Sequence, residues 1–234
     1  SEDEKPFALP DGWEWCRLRD ITKLITKGSS PKWQGVEYVD SEENGILFIT
    51  SENVGNYEIL LNKRKYVEKK FNEIEPRSVL KKDDILMNIV GASIGRTAIY
   101  NLNEVANINQ AVTLIRFFEN SNHQYFLNFL NSPICISYMY DKQVENARPN
   151  LSMGNIAKFL IPLPPLEEQK AIVKIVDTLM AECDALENNI KQRDTLIEDL
   201  MASCLYEMDN KNASDQAEEL NMVAESGNEY NKRV

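Results

Sequence analysis

The sequence predicts an α+β fold: a globular domain of short strands and a few helices, followed by one long C-terminal helix. Between about residues 12 and 118, short stretches rich in β-branched and aromatic residues alternate with Gly, Asn, Asp and Ser, which is typical of strands joined by turns. Three prolines among residues 162–165 then hold the backbone extended. After them, an apolar heptad repeat runs for about 33 residues with one polar interruption and no Gly or Pro, which indicates a long helix.

The patterning also predicts the order of elements in the domain. We expect strands at residues 46–50, 57–61, 85–90, 97–100 and 111–118. Residues 123–144 carry apolar side chains at helical spacing, and Pro133 predicts a break near Ser132. Residues 151–160 are a short mixed segment before the prolines.

The C-terminal helix is expected to begin at Leu166, with Glu167 and Glu168 in the first turn, where the helix dipole favours acids. It cannot bury its apolar stripe alone, so we expect it to pack on another helix as a coiled coil. The expected helix interface consists of Ile172, Val176, Leu179, Cys183, Leu186, Ile190, Ile197, Leu200 and Cys204. The expected parts of the chain are a globular domain (1–160), a proline-rich hinge with the heptad helix (161–209) and an acidic flexible tail (210–234).

Composition argues against several classes of protein. The chain of 234 residues is 43% apolar, so it can bury a core. No apolar run approaches the roughly 18 residues of a membrane helix and no signal pattern is present, so we expect a cytoplasmic protein without a membrane partner. Four separated cysteines without a CxxC pair, and a single histidine, His123, argue against a zinc site and histidine-based catalysis.

Motifs of catalysis are missing from the sequence. The nine glycines never form the GxG turn that cradles a nucleotide, and Pro164-Pro165 lacks the Asp/Asn and aromatic flanks of an adenine methyltransferase. Asp83 and Asp84 are expected in a solvated turn rather than a metal pair. We therefore expect a binding or assembly protein that is not an enzyme, with no cofactor and no metal.

Charge is distributed unevenly along the chain. The formal net charge is −11, but residues 1–165 carry 19 Lys and Arg against 21 Asp and Glu, a net of −2. Residues 166–234 carry 7 against 16, a net of −9. An acidic surface is unsuited to a phosphate backbone, whereas several basic clusters lie in the first segment. If the chain binds nucleic acid, we expect residues 1–165 to do so.

Five sequence blocks occur in a distinctive order and spacing. They are residues 12–18 (GWEWCRL), 49–54 (ITSENV), 84–86 (DIL) leading to 91–96 (GASIGR), 107–111 (NINQA) and, most specifically, 161–169 (IPLPPLEEQ) followed by the long helix. Together, over about residues 12–205, they resemble the specificity subunits of type I restriction–modification systems.

The resemblance implies a DNA-reading subunit that is not itself catalytic. Members of the family pair an α+β target-recognition domain with a long helix, and two such units pack their helices antiparallel so that each domain reads one half of a bipartite site. Modification (M) subunits that methylate adenine dock on this frame, and restriction (R) subunits that cut DNA join them. A usual specificity subunit holds two units, whereas this sequence holds one. The long helix therefore pairs with either a second copy or a missing half.

The candidate contacts to double-stranded DNA lie in loops of the first domain. Cations and hydroxyls suit phosphates, an aromatic ring suits a sugar or base, and an amide suits a base edge. The candidates are Lys27, Ser29, Ser30, Lys32, Trp33, Asn53, Lys63, Arg64, Lys65, Arg96 and Arg148.

These candidates also have structural alternatives. Trp33 either contacts DNA or packs on the core, and Asn53 either reads a base or satisfies its own backbone in a turn. Arg96 either faces DNA or pairs with a carboxylate. The cluster at 63–65, with Arg64 on the face opposite its neighbours, either contacts phosphate or forms a solvated edge.

A coiled-coil protein-interaction adaptor without DNA binding is the alternative function. The near-neutral balance of residues 1–165 favours it, because strong DNA binders are usually basic. The steep fall of DNA affinity with salt would distinguish the two functions.

Overall fold

A computed structural model describes residues 5–141 and 150–230, with side chains through residue 206. Within that part of the chain, ten strands and five α-helices form. The strands are β1 (Glu14–Arg17), β2 (Thr22–Lys27), β3 (Tyr38–Val39), β4 (Gly45–Ile49), β5 (Tyr66–Glu68), β6 (Asp84–Asn88), β7 (Thr97–Tyr100), β8 (Ala106–Ile108), β9 (Val112–Phe117) and β10 (Leu160–Leu163). The helices are α1 (Phe71–Ile74), α2 (His123–Leu130), α3 (Pro133–Asp141), α4 (Met153–Ala157) and α5 (Leu166–Tyr230).

The α+β prediction is confirmed, and four of the five expected strands form as β4, β6, β7 and β9. The strand expected at 57–61 is wrong. Tyr57 has a φ of 67°, in the left-handed region. The Gly55 N–H donates to the carbonyl of Glu58 at 3.0 Å, so the chain turns here instead of extending.

The helix break expected near Ser132 is confirmed. α2 ends at Leu130, and α3 begins with Pro133, where the missing N–H costs nothing because the first turn has no intrahelical acceptor for it. The Asn122 side chain caps α2 by accepting a hydrogen bond from the Tyr125 N–H at 3.2 Å.

The strands form two four-stranded sheets and a two-stranded ribbon. The first sheet has the order β2-β9-β6-β7, and each neighbouring pair is antiparallel. The second has the order β3-β5-β4-β8, and its β4–β8 pair is parallel. The ribbon pairs β1 with β10, so that Glu14 lies opposite Leu163.

The first sheet is covered on both faces. Ile85 and Met87 of β6 pack into a core shared with α2, α3 and α4, whereas Leu86 between them packs into a second core shared with β4 and β8. Because neighbouring side chains of the strand are buried on opposite faces, this sheet is a rigid frame from which the connecting loops project.

The proline-rich segment forms β10 and leads directly into α5. The Tyr125 hydroxyl donates to the carbonyl of Pro162 at 2.5 Å, and the Gln169 side chain donates to the carbonyl of Pro164 at 2.9 Å. Ile172, which is expected in the coiled-coil interface, is partly buried against the core of the domain. The first two turns of α5 therefore pack with the domain.

α5 is a continuous helix of 65 residues, about 100 Å long at 1.5 Å per residue. Its backbone is helical past residue 209, where a flexible tail is expected to begin. The chain divides into compact units at Val176 and Asp177, and the boundaries of the three expected parts stay a prediction. No described helix is both long and apolar enough to cross a membrane.

The interface residues beyond Val176 are exposed in the single chain. The leucines and isoleucines at 179, 186, 190, 197 and 200 are between 48% and 64% exposed, and Cys183 and Cys204 are exposed with them. An apolar stripe of this length has no cover among the described residues. The stripe is therefore available to another helix.

Candidate nucleic-acid interface

Strand register brings several loops to one edge of the first sheet. β2 ends at Lys27, opposite Thr113 near the start of β9. β6 ends at Asn88, opposite Val112, and β7 begins at Thr97 at the same edge. We use the name loop end of the sheet for this edge, the loops at 28–37 and 89–96 that leave it, and the loop at 50–65, which follows β4 of the second sheet and is bound to the end of β6.

Hydrogen bonds tie the loops of this end together. The Asn88 side-chain amide, fully buried at the end of β6, donates to the carbonyls of Ser51 at 2.9 Å and Val54 at 3.2 Å. The backbone N–H of Leu151 donates to the carbonyl of Ile89 at 2.9 Å. The loops after β4 and β6, and the chain that returns at residue 150, are therefore neighbours.

The loop after β2 projects an aromatic side chain from this end. Pro31–Gln34 form a 3₁₀ turn in which Pro31 is buried. Trp33 on that turn is 75% exposed, so the alternative in which it packs on the core is wrong. Lys27 and Lys32 on either side of it are exposed, with no ion-pair partner among the described side chains.

The two serines of this loop have different surroundings. The Ser29 hydroxyl accepts a hydrogen bond from the Gln34 side chain at 2.9 Å. Ser30 precedes the 3₁₀ turn, and its carbonyl accepts from the Trp33 N–H at 3.1 Å. Both serines are half-buried, which leaves part of each side chain accessible to a ligand.

Asn53 stabilises a turn of its own loop, which was the alternative to reading a base. Its side chain is 1% exposed, and its Oδ1 accepts from both the N–H and the hydroxyl of Thr50 at 3.0 Å. Its Nδ2 donates to the carbonyls of Leu60 and Lys63 at 2.9 and 3.0 Å. All four hydrogen-bonding positions of the amide are used, so none remains for a base edge. The structure therefore corrects the expected DNA contact: Asn53 braces the loop instead.

The basic cluster before β5 divides between two carboxylates. Lys65 donates to Glu52 at 2.8 Å, and the pKa of Glu52 is lowered by that hydrogen bond and by the charges of Lys65 and Lys63. Arg64 instead donates to both carboxylate oxygens of Glu104, at 2.9 and 3.0 Å. This arrangement agrees with Lys63 and Lys65 on one face and Arg64 opposite.

The pairing leaves Lys63 as the cation of this cluster that is exposed and forms no ion pair among the described side chains. Arg96, in the loop between β6 and β7, is likewise exposed without a carboxylate partner in the described part of the chain. Arg148 lies outside the described residues.

A buried ion pair that the sequence did not predict lies at the end of the sheet opposite the loop end. Asp84, expected in a solvated turn, is 1% exposed and forms a bidentate pair with Arg116 at 2.6 and 2.7 Å. The sequence contains one indication of this ion pair: Arg116 is a charged residue between apolar neighbours in β9. Among the described residues, no group of His, Cys, Asp or Glu is arranged to hold a metal ion.

Comparison with known proteins identifies the family. The model of the type I restriction modification DNA specificity domain matches residues 10–193, which is more than half of the chain. The chain belongs to this family. The matched span of the specificity domain covers the candidate DNA residues and the α5 interface through Ile190.

Curated relatives are specificity subunits of type I restriction enzymes. The EcoBI specificity subunit of Escherichia coli is 29% identical over 205 residues, which cover 87% of this chain and 42% of the relative. The MjaVIII specificity subunit of Methanocaldococcus jannaschii is 26% identical, over 74% of this chain and 41% of the relative. The chain thus spans less than half the length of these relatives.

Solved structures support the fold of the specificity domain. A chain from a structural study of complex assembly and conformational transition of the type I R-M system superposes with a TM-score of 0.66 and 23% identity, over 83% of this chain and 45% of that one. The crystal structure of the HsdS subunit from Thermoanaerobacter tengcongensis gives a TM-score of 0.55 and 22% identity, over 78% and 41%.

Proposed function

We propose that the chain is the sequence-specific DNA recognition component of a type I restriction–modification complex, and that its domain reads one half of a bipartite site. The observation that carries the proposal is the convergence of exposed Lys27, Lys32, Trp33, Lys63 and Arg96 at the loop end of a buried sheet, in a member of the specificity domain family. Cations on loops of a rigid frame suit a phosphate backbone.

The proposal also includes candidates whose side chains already have partners in the structure. Lys65 and Arg64 exchange their carboxylate partners, Glu52 and Glu104, for phosphates of the DNA. The exchange costs little free energy because exposed ion pairs are weak. Ser29 and Ser30 supply hydroxyls, and Arg148, which lies outside the described residues, stays a candidate from the sequence. Asn53 is left out because its amide is saturated.

The exposed stripe of α5 supports a helical partner. We propose that a second copy, or a second unit of the same kind, covers Leu179, Cys183, Leu186, Ile190, Ile197, Leu200 and Cys204, so that two recognition domains are held apart. Pairing between identical chains would present two identical readers and favour a symmetric split site.

The remaining proposals concern the complex. The chain is a non-catalytic component in the cytoplasm. Methyltransferase (M) subunits that modify adenine and restriction (R) subunits that cleave DNA assemble on it. The protein-interaction adaptor is not favoured, because the family match covers the recognition domain as well as the helix.

A binding experiment tests the proposal. The full chain, alone and with its cognate modification subunit, is offered a random duplex library, and bound duplexes are sequenced. We expect one enriched motif, and affinity that falls steeply with salt because phosphate contacts release counterions. A chain that enriches no motif under either condition would contradict DNA recognition, and methyl transfer by the chain alone would contradict its non-catalytic role.

A further inference from the structure

Trp33 is the most exposed large apolar side chain in the described part of the chain, at 75%. An indole in water gives up the stabilisation that its burial would provide. The rest of its loop is well packed, since Pro31 is buried and Val36 is 3% exposed in the core beside Phe48. Folding of the chain therefore does not explain the position of the ring.

The backbone under Trp33 is held at both ends. A Cβ on Gly28 would lie 1.9 Å from the carbonyl oxygen of Ile108, so the loop begins in direct contact with β8 and only glycine fits. At the other end Gly35 has a φ of 65°, and the Val36 N–H donates to the carbonyl of Pro31 at 3.0 Å. The backbone position from which the indole projects is therefore fixed.

The side chain of Gln34, next to Trp33, ties the turn to a second element. Its Nε2 donates to the hydroxyl of Ser29 at 2.9 Å and to the Glu75 carboxylate at 2.8 Å. The Glu75 carbonyl in turn accepts from the buried amide of Asn107 at 3.1 Å. Gln34 thus links the exposed turn through Glu75 to the interior.

We propose that Trp33 is a further DNA-binding residue whose ring enters between two base pairs of the half-site and stacks on a nucleobase, and that Gln34 is the residue that positions it. The proposal rests on the proposed DNA recognition. The indole carries no charge and offers a base a flat apolar face, while Lys27 and Lys32 are the neighbouring cations that phosphates require. Because the backbone under the ring is already fixed, only the side-chain torsions of Trp33 have to be ordered when it contacts DNA.

The first test compares W33A with the unaltered chain on the duplex that the library selection enriches. We expect W33A to weaken binding about ten- to a hundredfold, the range of one lost base–aromatic stack. The dependence on salt should stay unchanged, because no phosphate contact is removed. F118A is the matched control, since Phe118 is 52% exposed just after β9, at the opposite end of the sheet; it should bind as the unaltered chain does.

The second test follows the ring directly. The chain contains three tryptophans, which incorporation of 5-fluorotryptophan makes visible by fluorine NMR, and W33F assigns the signal of Trp33. We expect the signal of Trp33 to shift on adding the selected duplex, while those of Trp13 and Trp15 stay in place.

The third test separates positioning from folding by exchanging donor and acceptor. Q34E places two carboxylates together and should weaken binding several-fold, whereas Q34E with E75Q restores a donor–acceptor pair and should recover affinity, since the Ser29 hydroxyl donates as well as accepts. In the W33A background, Q34E should cause no further loss. An independent loss in that background would contradict the positioning role.

The outcomes separate this inference from the proposed function. If the unaltered chain enriches no motif, DNA recognition fails and this inference fails with it. If it enriches a motif that W33A binds equally well, DNA recognition stands and the role of Trp33 is wrong. Loss of association with the modification subunit in W33A, with DNA affinity intact, would assign Trp33 to a protein contact and overturn the inference.

Discussion

The indole Nε1 of Trp13 donates to a carboxylate oxygen of Glu168 at 2.7 Å, across 155 residues of sequence. This bond joins the chain just before β1 to the first turn of α5, next to the ribbon of β1 and β10. The start of the long helix is therefore attached to the domain by a side-chain contact as well as by the backbone that links them.

Removing this contact should cost a modest amount of stability. We expect W13F and E168A each to lower the free energy of unfolding by about 0.5–1.5 kcal/mol, as for one lost hydrogen bond. The double variant should lose little more than either single one, because both remove the same bond. Urea denaturation measures this. The control is E167A, which removes an exposed carboxylate that pairs with Lys170 and should change stability by less than about 0.5 kcal/mol. Fully additive losses in W13F and E168A would contradict the coupling.

The buried pair of Asp84 and Arg116 should matter more to stability. Asp84 also accepts from the Lys81 N–H at 2.6 Å, so D84A leaves both a guanidinium and a backbone donor without their acceptor. We expect a loss of about 3–5 kcal/mol in urea denaturation. E104Q, which breaks the more exposed pair with Arg64, should cost at most about 1 kcal/mol. Equal losses in the two variants would contradict this ranking.

Glu52 should oppose DNA binding. The pKa of Glu52 is lowered by Lys65 and Lys63, so its carboxylate stays ionised at neutral pH. Any folding stability from this pairing is present above the pKa that Glu52 has in the unfolded chain, and it is lost as the pH falls through the lowered pKa of the folded state. We expect E52Q to free Lys65 for phosphate and to tighten binding about two- to tenfold at low salt, with a steeper salt dependence in fluorescence anisotropy. E119Q, at the far end of β9 beside Lys23, is the control. Weaker binding by E52Q would assign Glu52 to a direct contact with DNA.

Cysteine reactivity should report on pairing of α5. Burial raises the pKa of Cys135 to about 12, and partial burial with the charges of Glu14 and Asp20 raises that of Cys16, so both should react slowly with a thiol reagent at pH 8. Cys183 and Cys204 are exposed and should react fast in dilute protein. Their rates should fall as protein concentration rises if the stripe pairs with a second copy.

The control for this measurement is L186D, which places a charge in the middle of the stripe. It should keep both helix thiols reactive at every protein concentration, because a carboxylate cannot enter an apolar interface without a partner. Rates that are independent of concentration in the unaltered chain would contradict pairing between copies.

The local sequence pattern was sufficient to predict the features that depend on residues close to one another in sequence. The heptad spacing predicts α5, the proline run predicts extended chain before it, and Pro133 predicts the break between α2 and α3, because backbone geometry and side-chain periodicity act over a few residues. The segment at 57–61 shows the limit of this reasoning. Its composition is that of a strand, but the turn around Tyr57 is made by contacts that composition does not encode.

Amino-acid order alone therefore determined the class of fold, the long helix with its apolar stripe, and the blocks that resemble the specificity subunits. Only the tertiary structure decided what each polar candidate does. Asn53 became a brace within its own loop, Arg64 paired with Glu104 40 residues away in sequence, and Trp33 remained exposed. Whether a polar or aromatic side chain is free to bind a ligand depends on which distant groups the register of the sheets brings to it.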